Sequence, residues 1–224
     1  MRVSPSTFRR TAVLLGVCAL SVPALPASAS HVEYGTNGPD VIVGTNGRDE
    51  IHARAGNDDV RARRGGDRVF AGSGDDVVFG GRGVDDLRGR GGSDFLVGGG
   101  LFDFLDGGRD NDVLRGGAGQ DLIQGGNHDD ILRGGLGRDV IGGDRGRDTL
   151  RGGPNAGRRD ELAPGTGRDV VHGGAGNDKI FLRVDGSRDV IDCGSGDDVI
   201  EYQTGADPRD VVLSCEVVRV SSEA

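Results

Sequence analysis

From position 40 onward an apolar residue recurs every nine positions without a gap: Ile42, Ile51, Val60, Val69, Val78, Leu87, Leu96, Leu105, Leu114, Ile123, Leu132, Ile141 and Leu150. Each follows an aspartate by two residues: Asp40, Asp49, Asp58, Asp67, Asp76, Asp85, Asp94, Asp103, Asp112, Asp121, Asp130, Asp139 and Asp148. Every unit begins with Gly or Ala. A fixed internal period of this kind marks a stacked repeat, not a helix or an ordinary strand. The last three residues of each unit suit a short strand whose middle side chain points inward while its neighbours point out. Glycines at the first, second and fourth positions suit a tight turn with φ > 0. Two units then form one 18-residue turn of a flattened coil, with Asp40 stacked on Asp58 and Asp49 on Asp67. The pattern predicts an all-β fold, a stacked coil of short strands.

The regular repeats span 35–151. Interrupted repeats follow over 152–202, where Asp160 comes twelve residues after Asp148 and extra residues around Gly153-Pro154-Asn155 bulge out as a loop. Asp169, Asp178 and Asp198 continue the array, with Asp189 and Asp210 at longer steps. Residues 203–224 change character and read as a C-terminal cap. Asp207-Pro208-Arg209-Asp210 makes a turn, and Val211-Val212-Leu213 and Val217-Val218 concentrate apolar surface. The whole stretch 30–224 is therefore one elongated domain.

Composition changes the picture by asking what holds such a coil together. The chain has 44 Gly, no Trp and only 4% aromatic residues. Apolar burial alone would not offset the entropy of ordering it. Aspartates stacked at the strand spacing of ~4.8 Å would also repel one another unless a cation lay between them. Carboxylates beside inward carbonyls offer the hard oxygen ligands that calcium takes in sets of six to eight. The pattern therefore asks for Ca2+ in a row along each edge. The metal ligands it designates are the thirteen aspartates from Asp40 to Asp148 together with Asp169, Asp178 and Asp198.

The units resemble the RTX, or hemolysin-type, calcium-binding nonapeptide G-G-x-G-x-D-x-U-x. Gly116-Gly117-Ala118-Gly119-Gln120-Asp121-Leu122-Ile123-Gln124 matches it throughout, as does the unit from Gly134 to Gly142. The resemblance covers roughly Gly35 to Asp210. It implies a calcium-stabilised parallel β-roll, a right-handed β-solenoid, in which each ion lies between the turns of units n and n+2. Many members leave the cell through a C-terminal signal; this chain has a different export feature, described below. Departures from the motif point to weaker sites near 53–67 and 98–112. There Arg54, Arg63 and Arg90 replace the second glycine, as Asp144 does later, and Leu101, Asp110 and His128 replace the fourth. The strongest sites are expected around 71–88 and 116–142.

Residues 1–29 read as a signal peptide: Arg2, Arg9 and Arg10, an apolar run from Thr11 to Leu25, and cleavage after Ala29. The run is too short and interrupted for stable membrane insertion. Cleavage would take the formal charge from −9 to −12 and leave Cys193 and Cys215, an even pair that suggests a disulfide in an exported chain. Basic residues, nearly all Arg, are scattered among more numerous acids, which argues against a nucleic-acid partner. His31, His52, His128 and His172 lack partners at metal-ligand spacing. No stretch outside the repeats is large enough for a catalytic domain. One outward feature remains: Val77, Phe79, Phe95, Val97, Val113 and Ile131 share one face, flanked by Arg115, Arg133 and Arg151. It reads either as β-favouring surface or as a docking face for a protein, a polysaccharide or a second copy. The leading function is a secreted, non-enzymatic calcium-binding protein with a structural or interaction role, folding on calcium outside the cell. The alternative is a calcium-dependent module for surface polysaccharide.

Overall fold

The computed structural model describes residues 30–154, 158–203 and 205–220. The signal segment and its cleavage site lie outside these residues. Among the described residues the chain coils into two facing parallel sheets of eleven and ten strands, each taking every second strand in sequence. It makes about ten turns. Over the regular repeats the register is 18 residues: Val77 pairs with Phe95, Phe95 with Val113, and Val113 with Ile131.

From Ile42 to Tyr202 the inward positions of the strands feed one core file. Ile51, Leu87, Leu105 and Ile123 face Val60, Val78, Leu96, Leu114 and Leu132, all with no exposed surface. One buried aliphatic side chain contributes about 1.5–3 kcal/mol. Ordering the nine residues that carry it costs about 1–2 kcal/mol each in backbone entropy. The file sets the register but falls well short of holding the coil together.

The expected turn chemistry holds at the second and fourth glycines. Gly117 and Gly119 have φ of 117° and 151°, and their replacements also fall at positive φ, with Arg54 at 83°, Leu101 at 82° and Asp144 at 72°. The first glycine is different. Gly116 does not have positive φ; its constraint is space, because a β-carbon there would stand 2.4 Å from Asp121 Oδ2 and 2.8 Å from the Gly134 carbonyl oxygen. The expectation of φ > 0 at the first position is corrected on that ground.

The interruptions are absorbed as longer steps. The aspartate register passes from Asp139 to Asp160 and from Asp148 to Asp169 in 21 residues, and from Asp169 to Asp189 in 20. Part of the bulge at 153–155 lies outside the described residues. Segment 205–220 adds the last rung to both sheets, Val211 on Val190 and Val217 on Val199. Cys193 and Cys215 are joined by a disulfide that ties this rung to the one below. Among the described residues no helix is long and apolar enough to cross a membrane.

Candidate metal centre

Each edge of the coil carries a ladder of carboxylates. Asp58 Oδ1 accepts a hydrogen bond from the backbone N–H of Asp40 at 2.8 Å, and Asp76 Oδ1 accepts from Asp58 N–H at the same distance. On the other edge Asp67 accepts from Asp49, and Asp85 from Asp67. The rule continues through Asp148, and then through Asp160, Asp169, Asp178 and Asp198 across the longer steps. It follows from the turn itself, since the aspartate N–H at a strand entrance faces the carboxylate stacked next along the coil.

The second carboxylate oxygen is the informative one. Oδ2 is buried without any hydrogen-bond partner at Asp58, Asp67, Asp76, Asp85, Asp94, Asp103, Asp112, Asp121, Asp130, Asp139, Asp148, Asp169, Asp178 and Asp198. A buried anionic oxygen left bare is costly, and here the cost repeats on nearly every rung. Burial therefore drives these groups toward the neutral form. Asp103, Asp112 and Asp148 are pushed up to about 8 and Asp67, Asp94, Asp130 and Asp169 to about 7; backbone hydrogen bonds pull them down only in part, and neighbouring aspartates add to the rise.

The bare oxygens face carbonyls. Around the space beside Gly116 lie Asp121 Oδ2 and the Gly134 carbonyl of the next turn; around Gly98 lie Asp103 Oδ2 and the Gly116 carbonyl. Among the described residues no group of three or more His, Cys, Asp or Glu side chains is placed to hold a metal. Any ion must take mixed carboxylate and carbonyl oxygens, the donor set that suits calcium rather than zinc. The residues present fit Ca2+, held between stacked turns and supplying the positive charge that the ladder lacks.

Two designated aspartates differ from the rest. Thr45 donates to Asp49 through its N–H at 2.7 Å and its hydroxyl at 2.8 Å, and Thr36 serves Asp40 in the same way. The first two loops thus satisfy their own carboxylates, and neither has a bare buried oxygen. Sequence reasoning placed Asp160, Asp189 and Asp210 in the array but left them out of the metal ligands, and it missed Glu216. Asp160 and Asp189 are buried on the ladder, Asp210 accepts from Asp189 N–H at 3.1 Å, and Glu216 closes one edge by accepting from Asp198 N–H at 2.7 Å. The signal was present in the apolar residue two positions on: Leu162, Ile191, Val212 and Val218.

Replaced glycines leave the ladder intact: Asp103 keeps its bond from Asp85 N–H at 2.9 Å despite Leu101. Ranking of sites by glycine content therefore rests on strain, of order 1 kcal/mol per β-carbon at positive φ. Asp121→Ala and Asp139→Ala are expected to lower calcium stoichiometry and cooperativity in equilibrium dialysis, and Asp103→Ala to do less. Equal losses at all three would sink the ranking.

The outward faces follow the sequence reading. Val77, Phe95, Val113 and Ile131 form one file on the ten-stranded sheet, with Phe79 and Phe95 edge-on at 6.1 Å and Arg115 over Phe95 at 5.1 Å. On the other sheet His52 is stacked between Tyr34 and Phe70, so its environment is aromatic and not wholly solvated.

Fold and ladder together define a parallel β-solenoid whose stacked loops are built for calcium. The family model described as RTX calcium-binding nonapeptide repeat matches residues 34–69, 62–96, 97–127, 106–141, 124–156, 159–185 and 181–207, and the chain belongs to that family. No curated protein matches it. Among solved structures it is similar to a hyperactive, Ca2+-dependent, beta-helical antifreeze protein from an Antarctic bacterium. That likeness is at 20% identity, covers 88% of this chain and 78% of the other, and has a TM-score of 0.36.

Proposed function

We propose that the chain is a secreted calcium-binding repeat protein with a structural or interaction role, folding when it meets calcium outside the cell. One observation carries this reading: fourteen ladder aspartates hold a buried oxygen with no partner. The calcium levels that extracellular modules bind, ~0.1–1 mM, are found outside cells and not within them. Export rests on residues 1–29 as a leader cleaved after Ala29, and it suits the disulfide. We read no enzyme here, because the ladder takes 20 of the 36 acidic residues and the family repeats run through 34–207 with no separate domain beside them. In the second reading the protein is a calcium-dependent module for surface polysaccharide, favoured by the outward file on the ten-stranded sheet. A glycan array with and without calcium separates the two.

The test of folding is far-UV circular dichroism and small-angle scattering of the mature chain. In chelator it is expected to be expanded and mostly disordered, and in millimolar calcium strand-rich and contracted. A chelated chain that is already compact and strand-rich removes the mechanism.

A further inference from the structure

Arg147, Arg168 and Arg188 each precede a ladder aspartate on consecutive rungs of the ten-stranded sheet, so they stack in a column, one per turn. All three are exposed, and none has an ion pair or a side-chain hydrogen bond among the described residues. The next arginine along, Arg209, is different: its guanidinium donates to the Gly186 carbonyl. With the β-branched file Thr149, Val170 and Val190 beside them, the three arginines line an open groove of about 630 Å3 whose floor is Asp148 and Asp169. Their strands are neighbours at the ~4.8 Å spacing of a sheet, so three positive side chains rise from consecutive rungs on a chain with more acids than bases.

We propose that this groove binds a linear acidic polysaccharide, with its anionic groups set along the arginine column, and that calcium switches it on. The inference rests on the calcium-folded coil proposed above. The β-branched file offers a narrow apolar strip for the C–H faces of sugar rings. Nucleic acid fits less well, since no aromatic side chain in the groove can stack a base. Two further acids bear on the groove, Asp129 in its lining and Asp185 near it, and both are tied into backbone. Asp129 accepts from Arg147 N–H at 2.9 Å, and Asp185 accepts from Gly167 and Ser187 N–H at 2.6 and 2.7 Å. Calcium acts twice: it forms the column, and it neutralises Asp148 and Asp169 directly beneath, leaving the arginine field unopposed. By linkage the glycan should in turn tighten calcium.

The experiment titrates a galacturonate hexasaccharide, too short to gel with calcium, into the mature chain in millimolar calcium. Maltohexaose and an oligo-dT of similar length serve as comparators. Binding is expected for the galacturonate alone, weakening as salt rises. It should be about tenfold or more weaker in Arg147→Gln/Arg168→Gln/Arg188→Gln, while calcium stoichiometry and melting temperature stay unchanged. A folded parent that binds no galacturonate, a triple variant that binds as the parent does, or oligo-dT binding as tightly would each overturn the proposal. Circular dichroism on the same samples shows whether the coil has formed. A chain that calcium does not fold removes the earlier reading and this one together.

Discussion

Lowering the pH of the calcium-free chain from about 8 to about 5 is expected to bring back strand signal that chelation removes. Twelve ladder aspartates are raised from 3.8 to between about 6 and about 8, first because they are buried. An acid whose folded pKa lies above its unfolded one binds more protons in the folded state. The metal-free coil is therefore least penalised below the unfolded value near 3.8, and it loses stability as pH rises through the 6–8 window. Each tenfold rise in proton affinity corresponds to about 1.4 kcal/mol. Across the twelve sites these penalties act in the same direction, against the ~5–15 kcal/mol that holds a domain. Calcium takes the place of those protons. Its apparent affinity is then expected to fall as pH drops from about 8 to about 6, with protons released on binding. Calcium titrations at the two pH values, each with a proton-release measurement, check this. An affinity independent of pH would count against ionised ladder aspartates as the ligands.

Replacing both cysteines, Cys193→Ser/Cys215→Ser, is expected to lower the melting temperature of the calcium-loaded coil and to promote oligomers. The bond closes a loop of 22 residues. On the chain-entropy model a loop of that size stabilises by about 3 kcal/mol. Its place gives it a second effect. Val212 lies beside Ile191 in register and, with Cys215, packs against the core, and the Tyr202 hydroxyl donates to Asp210 at 3.1 Å. Segment 205–220 forms the last described rung, and freeing it is expected to expose the sheet edge next to it, which invites pairing. Melting curves and light scattering in calcium read the two effects. A variant that melts as the parent does and stays monomeric leaves the disulfide without a capping role.

Much of this was legible because the repeat writes local and long-range structure with the same residues. The file from Ile42 to Leu150 fixed the strand centres, and the nine-residue step fixed which strands become neighbours. The aspartate column named most of the ladder. What stayed hidden depended on phase and on contacts. Asp160, Asp189 and Asp210 stood in the array by sequence, but their ladder contacts across steps of 20 and 21 residues, and the closing of one edge by Glu216 18 residues after Asp198, depended on the folded register. That Thr36 and Thr45 satisfy Asp40 and Asp49 depends on hydroxyl directions, which a motif does not encode. The first glycine was assigned to the wrong cause, because a demand for empty space and a demand for φ > 0 select the same residue.

Because each turn contains two units, the chain has a parity. Removing 18 residues, such as 98–115, would join rungs of like kind and leave every later side chain on its own sheet. Removing a single unit, such as Gly116–Gln124, would send every downstream strand to the opposite sheet. Thr149 and Arg151 would then lie on the eleven-stranded face, and the arginine column would change edges. Gene-level gain or loss in this protein is therefore neutral for the pattern of its surfaces only in whole turns, and an odd step is a coherent rewrite of both faces at once.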